Sequence, residues 1–156
     1  MKVLLINVPA KLEQTECLYH GIEHLGIRYI QAVLLERGYQ ADILDCTYQG
    51  YSRKDICGQI SEGAYDIIGF SVYDYNIHCG IEIAQWAKSN NPELKIVFGG
   101  YGATFWAEEI LQQNLGLLDC IILGEGEITF CKYIQCLQSK TRLDQVKGIA
   151  YYDAAA

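Results

Sequence analysis

The sequence predicts an α/β fold in which a parallel sheet is covered by helices on both faces, a three-layer arrangement. Short apolar segments alternate along the chain with stretches that carry apolar residues at helical spacing. The apolar segments are rich in β-branched residues and run on without polar alternation, which is typical of strands buried on both faces. Glycine or polar residues follow most of them, as is usual at the ends of such strands.

Five segments are predicted to form the parallel strands. They are Val3–Ile6, Ala41–Leu44, Ile67–Phe70, Lys95–Phe98 and Cys120–Leu123. A further apolar segment at residues 148–152 is the candidate for an extra strand at the edge of the sheet. Five strands joined by crossover helices most simply adopt the flavodoxin-like order 2-1-3-4-5.

Helical spacing fills the intervals between these strands. Residues 25–37 place Ile27, Ile30 and Leu34 on one face and stop at Gly38, a common residue just after a helix. Further helices are predicted after the capping-box pair Ser52 and Asp55, from Ile77 onward and from Phe130 onward.

One more helix is predicted to begin near Thr104. Its hydroxyl would cap the first turn, where Glu108 and Glu109 would interact favourably with the helix dipole.

Composition and charge exclude several classes of protein. Hydrophobic residues make up 51% of the 156 residues, which excludes a disordered tail. Twelve Lys and Arg stand against nineteen Asp and Glu, and no basic run is present that could neutralise phosphates, so nucleic acid is not expected as a main ligand. No segment is long and apolar enough for a membrane span. We therefore expect a cytoplasmic domain that does not bind a membrane.

The seven cysteines do not form a recognisable metal or redox motif. They lie at positions 17, 46, 57, 79, 120, 131 and 136, and no pair has CxxC spacing. We expect reduced thiols that act as small buried hydrophobic residues. No CxxxCxxC run is present in this sequence either.

The residues that directly follow the strands are the candidates for a binding site, because open α/β sheets bind ligands there. These segments are Asn7–Pro9, Ser71–Tyr73, Gly99–Gly102 and Gly124–Glu127. Glycines at strand ends allow a ligand to approach the backbone and leave its amides free to donate. A single glycine turn is explained by the tight connection from a strand to a helix. Several such turns on one edge of the sheet predict a slot for a large ligand.

These segments resemble a known family. Ser71-x-Tyr73 followed by Gly99-Gly100 resembles the Ser-x-Leu and Gly-Gly pair of cobalamin-binding domains, in which the serine and the glycines line a deep slot for the dimethylbenzimidazole nucleotide tail. Leucine is the usual residue at the position of Tyr73. Three further segments resemble the N-terminal cobalamin-binding domains of cobalamin-dependent radical SAM enzymes: Leu25–Tyr29, Val97–Phe105 and Leu123–Phe130.

The resemblance implies a set of cofactor-binding residues but no catalytic or metal-ligating residue in this chain. The implied binding residues are Pro9, Ser71, Val72, Tyr73, Gly99, Gly100, Tyr101, Gly102, Gly124, Glu125 and Gly126. It also implies a parent enzyme that transfers methyl from methylcobalamin to a substrate radical. Its 4Fe-4S cluster and S-adenosylmethionine would belong to a radical SAM domain downstream in the same protein. Residues 1–153 would be the cobalamin domain, and residues 154–156 a truncation or an artificial tail.

The lower ligand of cobalt is expected not to be a histidine. Cobalamin domains of methionine synthase and the mutases carry Asp-x-His-x-x-Gly after the first strand, with the histidine below cobalt. Asp45–Gly50 is similar, with Thr47 in place of the histidine, but it follows the second strand and is set aside. For His20 and His24 a role in a loop or at the start of a helix is favoured over metal ligation.

Other functions remain open at this point. A flavodoxin-like module that binds a smaller nucleotide such as a flavin, or an interaction domain without enzymatic activity, has the same pattern of strands. A receiver-type signalling domain is disfavoured because the acidic pair after the first strand is missing. Glu125 and Glu127 could be an acid–base pair, but their spacing favours a turn and the first turn of a helix.

Overall fold

All predicted strands are present, and they pair into one sheet. In the computed structural model, which describes residues 1–13 and 23–152, the strands are β1 (Lys2–Asn7), β2 (Gln40–Asp45), β3 (Ile67–Ser71), β4 (Lys95–Gly99), β5 (Cys120–Ile122) and β6 (Ile149–Ala150). Their order is β2-β1-β3-β4-β5-β6, with β1 to β5 parallel and β6 antiparallel to β5. The flavodoxin-like order and the extra edge strand are both confirmed.

Helices cover both faces of the sheet. They are α1 (Leu25–Glu36), α2 (Cys46–Gln49), α3 (Arg53–Gly63), α4 (Ile77–Asn90), α5 (Tyr101–Phe105), α6 (Ala107–Gln113) and α7 (Glu127–Ser139). Helices α1 and α7 pack against each other and over one face, where Leu5 and Val97 lie. Helices α3, α4 and α6 cover the opposite face, where Ile6 and Phe98 contribute to a second core. The three-layer arrangement is therefore confirmed.

Local signals in the sequence explain where two of the helices begin or end. Helix α1 is followed by Gly38 with a φ of +81°, a backbone conformation that side chains disfavour. Helix α3 begins with a capping box in which Ser52 and Asp55 each bond the other's backbone N–H. Both features agree with the sequence-based prediction.

The helix predicted to begin near Thr104 begins earlier, at Tyr101, so the predicted cap is wrong. Gly100 adopts φ +90° and ψ −178°, which lets the chain turn directly from β4 into α5. Thr104 consequently lies inside the helix, where its Oγ1 donates to the Gly100 carbonyl at 2.9 Å. The same oxygen accepts from the Gly124 N–H at 3.1 Å, so it links the ends of β4 and β5.

The described cysteines behave as the sequence predicts. All six are free thiols and five of them are buried, while Cys17 lies outside the described residues. Burial raises the pKa of the Cys46 and Cys120 thiols. Within residues 1–13 and 23–152, no cluster of His, Cys, Asp and Glu could hold a metal ion, and no helix is long and apolar enough to cross a membrane.

A buried carboxylate ties the sheet to the beginning of α1. Asp45, at the end of β2, is 3% exposed. Its Oδ1 accepts from Asn7 Nδ2 at 2.7 Å and from the Tyr48 N–H at 3.2 Å, and its Oδ2 accepts from the His24 N–H at 2.9 Å. Each of these three donors would lack this acceptor if the carboxylate were removed. Asp45 therefore fixes the ends of β1 and β2 and the start of α1 together.

We expect Asp45→Asn to lower the free energy of unfolding by about 1–3 kcal/mol, because the site is buried at the carboxyl group and, whichever way the amide turns, its NH₂ group faces another donor. The matched control is Asp42→Asn in the same strand. The Asp42 carboxylate binds Lys2 Nζ at 3.1 Å, but its side chain is 50% exposed. Loss of this exposed ion pair should lower the free energy of unfolding by at most about 1 kcal/mol. Urea denaturation of both variants makes the comparison, and equal losses would show that Asp45 is not the anchor.

Candidate functional site

Four residues at the carboxyl ends of neighbouring strands form the base of the candidate site. The register pairs Asp45 with Asn7, Asn7 with Ser71, and Ser71 with Gly99. They therefore form one row across β2, β1, β3 and β4. The first three have buried polar side chains, whereas Gly99 has none. The row thus changes from polar to bare backbone at the point where β3 meets β4.

A cavity of about 430 Å³ opens beside Ser71 and Gly99 and extends between the sheet and helices α1 and α7. Its volume lies within the range of roughly 300–1,000 Å³ that small-molecule sites occupy. The walls away from the sheet edge are apolar and come from both layers: Leu5, Val97 and Ile122 from the sheet, Ile27 and Ile30 from α1, and Phe130 from α7. The cavity suits a ligand part that is largely apolar and enters from the carboxyl edge.

Glycines determine the shape of the cavity at two positions. A Cβ at Gly99 would meet nothing closer than 3.8 Å, and strand alternation directs it to the same side as Val97, towards the cavity. Gly100 differs, because its φ is +90° and a Cβ there would lie 2.9 Å from the Val72 carbonyl oxygen and 3.1 Å from Ser71 Oγ. A side chain at Gly100 would therefore strain the backbone, whereas one at Gly99 would fill the cavity.

Most of the predicted binding residues line this cavity. They are Ser71, Tyr73, Gly99, Gly100, Tyr101, Gly124, Glu125 and Gly126. Three predicted residues do not line it. Pro9 and Val72 are buried, and a Cβ at Gly102 would lie only 2.6 Å from the Tyr73 carbonyl carbon, so its bare backbone allows α5 to pack against the turn after β3.

The sequence did not predict that Asn76 helps to hold the loops of the site in place. Its side chain is fully buried, and its Oδ1 accepts from the Tyr73 N–H at 2.7 Å. Its Nδ2 donates to the Val8 carbonyl at 2.8 Å. This amide therefore joins the turn after β3 to the segment after β1. The only signal in the sequence is an Asn in a turn three residues after Tyr73, which does not specify the distant carbonyl.

His24 also lines the cavity, and this contact with the cavity was not predicted from the sequence. It is the N-cap of α1, and its Nδ1 accepts from the Ile27 N–H at 3.3 Å. Its Nε2 lies 3.2 Å from Ser71 Oγ and 3.3 Å from Tyr73 Oη. The favoured role at the start of a helix therefore agrees with the structure. The contact with β3 could not be read from the sequence, because 47 positions separate His24 from Ser71.

The aromatic side chains of Tyr73, Tyr101 and Phe105 line the cavity towards its mouth. The Tyr73 and Tyr75 rings stack with centroids 5.6 Å apart, and the Tyr101 and Phe105 rings lie 5.2 Å apart. Tyr101 and Phe105 are 70% and 69% exposed. Glu127 lies in the first turn of α7, where the helix dipole favours a carboxylate, as the sequence predicts. The mouth thus offers flat apolar surfaces to a ligand that lies across it.

Two curated relatives of this chain are methyl-transferring enzymes by name. Hopanoid C-3 methylase from Methylococcus capsulatus is 30% identical over 150 residues, which cover 96% of this chain and 28% of that protein. Cytidylyl-2-hydroxyethylphosphonate methyltransferase from Streptomyces wedmorensis is 32% identical over 176 aligned residues, covering 97% of this chain and 31% of that protein. The chain therefore spans less than a third of the length of these relatives.

Solved structures share the fold over nearly the whole chain. The cobalamin-dependent S-adenosylmethionine radical enzyme OxsB with aqua-cobalamin and S-adenosylmethionine bound has a TM-score of 0.83 at 24% identity, over 99% of this chain and 21% of that one. The radical S-adenosylmethionine methyltransferase TsrM from Kitasatospora setae with cobalamin and a [4Fe-4S] cluster has a TM-score of 0.76 at 16% identity, over 99% of this chain and 28% of that one. At these identities the likeness shows the fold alone.

The family itself follows from a direct match of the sequence. The family model of the B12 binding domain matches residues 15–134. This range begins after β1, ends within α7 and includes every strand-end glycine of the site. This match confirms the family that the strand-end residues predict. The chain belongs to the B12-binding domain family.

Proposed function

We propose that this chain holds cobalamin at the carboxyl edge of its sheet, with the nucleotide tail inside the cavity and the corrin ring across the aromatic mouth. The observation that carries the proposal is the 430 Å³ cavity beside Ser71 and Gly99 in a member of this family. The name of the family and the cobalamin in the structures of OxsB and TsrM support the same ligand.

The residues present fit a benzimidazole nucleotide tail. A flat aromatic base needs apolar walls on both sides, and the sheet and α1 supply them with Val97 and Ile27. The space in front of Gly99 allows the base to approach the sheet closely. Ser71 Oγ, at the cavity, supplies a hydroxyl for a ring nitrogen.

The binding residues that we propose are those that the family resemblance implies. Ser71, Tyr73, Gly99, Gly100, Tyr101, Gly124, Glu125 and Gly126 would face the cofactor, and Pro9, Val72 and Gly102 would hold the loops that carry them. Bound cobalamin supplies the carbon–cobalt chemistry, while the protein orients it and excludes water.

We also propose that no histidine of this site binds cobalt from below. Both ring nitrogens of His24 already have partners, with Nδ1 on the Ile27 N–H and Nε2 at Ser71 and Tyr73. Asp45, the aspartate of the motif-like segment, is occupied by three donors at the end of β2. Losing an axial donor would favour the low oxidation state of cobalt that accepts a new methyl group.

For the whole protein we propose methyl transfer by a radical SAM enzyme. The names of the two relatives support methyl transfer, and the name of TsrM supports a radical S-adenosylmethionine methyltransferase. Residues 1–153 would form the cobalamin domain, and a radical SAM domain downstream in the same polypeptide would carry the 4Fe-4S cluster and S-adenosylmethionine. Relatives about three times as long as this chain leave room for such a domain.

We expect the protein to bind hydroxocobalamin and Gly99→Val to abolish that binding, because the valine methyl groups would occupy the cavity. The free energy of unfolding should change little, since a Cβ at Gly99 meets nothing closer than 3.8 Å. Visible absorbance during titration measures binding. The matched control is Gly58→Val in α3. A Cβ at Gly58 would meet nothing within 4 Å, and Gly58 does not line the cavity, so this variant should bind hydroxocobalamin as the wild type does.

Two results would contradict the proposal. If Gly99→Val binds hydroxocobalamin with wild-type affinity, the tail does not enter this cavity. If the wild type ignores hydroxocobalamin but takes up a flavin, the domain is a flavin-binding module.

We expect Ser71→Ala to weaken hydroxocobalamin binding by about one to two decades, the effect of leaving a buried acceptor without its donor. The deficit should vanish with cobinamide, which lacks the nucleotide tail and therefore the acceptor. Titrations of both corrinoids with wild type and variant measure it. Equal deficits for the two corrinoids would show that Ser71 acts through the fold.

A further inference from the structure

His24 is held in place from several directions. Its backbone N–H donates to Asp45 Oδ2 at 2.9 Å, and its Nδ1 accepts from the Ile27 N–H at 3.3 Å. A Cβ at Gly26 would lie 3.0 Å from the ring carbon Cε1, so the ring rests against bare backbone. The imidazole is therefore fixed relative to the beginning of α1 and to the sheet.

These contacts determine which ring nitrogen carries the proton. A nitrogen that accepts a hydrogen bond has no proton, so the neutral ring with Nδ1 on the Ile27 N–H must carry its proton on Nε2. Nε2 lies 3.2 Å from Ser71 Oγ, and Tyr73 Oη is within 3.3 Å of the same nitrogen. Nε2–H is therefore a donor that faces both oxygens, and Ser71 Oγ is the nearer of the two.

A serine oxygen that accepts from His24 keeps its own hydrogen for another partner. A hydroxyl without such a contact rotates freely between donating and accepting. A benzimidazole base that is not bound to cobalt presents a ring nitrogen that can only accept. The contact with His24 thus prepares the Ser71 hydroxyl to donate into the cavity, which is what that nitrogen requires.

We propose that His24 is a positioning residue that sets the direction of the Ser71 hydroxyl towards the nucleotide tail of bound cobalamin. The inference rests on the proposed function and adds a specificity to it: the tail must present an acceptor, not a donor, beside Ser71. Asp45 belongs to the same chain of contacts, because it holds the backbone of His24.

His24→Asn separates the positioning role from the cap. Asn is a preferred N-cap residue, so α1 should keep its cap, but the shorter side chain cannot reach Ser71. We expect the affinity for hydroxocobalamin to fall about two- to tenfold, the effect of one neutral hydrogen bond. The urea midpoint of the cofactor-free protein should stay near that of the wild type. His24→Ser, another N-cap variant, repeats the comparison if His24→Asn does not fold.

Two further arms test whether His24 acts through Ser71 and the tail. Cobinamide should bind His24→Asn and wild type equally well. In a Ser71→Ala background, His24→Asn should cause no additional loss, because the hydroxyl that it orients is gone. His78→Asn is the matched control, since His78 is exposed, does not line the cavity and should leave both affinities unchanged.

The outcomes distinguish this inference from the proposed function. A deficit of His24→Asn that is the same for cobinamide, or that adds fully to that of Ser71→Ala, would overturn the positioning role while wild-type binding still supports the function. Wild-type protein that ignores hydroxocobalamin would overturn both.

Discussion

The buried carboxylate of Asp45 is the interaction on which the site depends. It gathers one donor from the end of β1 and two backbone N–H groups, from the start of α1 and from α2. Because α1 forms one wall of the cavity, its starting point decides where that wall stands relative to Ser71 and Gly99. A buried carboxylate holds this geometry firmly, since each donor would lose a charge-assisted partner on moving.

The sheet and helix α1 contribute different groups to the site. The sheet offers bare backbone at Gly99 and a hydroxyl at Ser71, and α1 offers apolar side chains together with the imidazole of His24. Thr104 joins the ends of β4 and β5 through its hydrogen bonds to Gly100 and Gly124, so the two glycine turns are linked. The result is a cavity with mainly apolar walls and with polar groups near the strand ends and the start of α1, which is a suitable arrangement for the aromatic end of a large polar cofactor.

Much of this could be predicted from the sequence, because strands, helices and strand-end glycines have local signals. The strand order, the capping box at Ser52 and the cavity position of Ser71 and Gly99 follow from such signals. The contacts of His24 with Ser71 and Tyr73 could not be predicted, because they depend on how α1 packs relative to β3. The motif-like segment at Asp45 offers no site residue, because it follows the second strand and not the first, and nothing local in the sequence shows that its carboxylate accepts three hydrogen bonds. The predicted helix start at Thr104 is wrong because Gly99 and Gly100 let the chain turn directly from β4 into α5, without the loop that normally separates a strand from a helix.

The central claim is that the benzimidazole tail leaves cobalt and enters the cavity and that no histidine replaces it. The most direct measurement is the electron paramagnetic resonance spectrum of cob(II)alamin with and without excess protein. The account predicts that the nitrogen splitting from the axial ligand, present in free cob(II)alamin, disappears on binding. A nitrogen splitting that persists in the bound state would contradict it, because benzimidazole or an imidazole such as that of His24 would still occupy the lower face of cobalt.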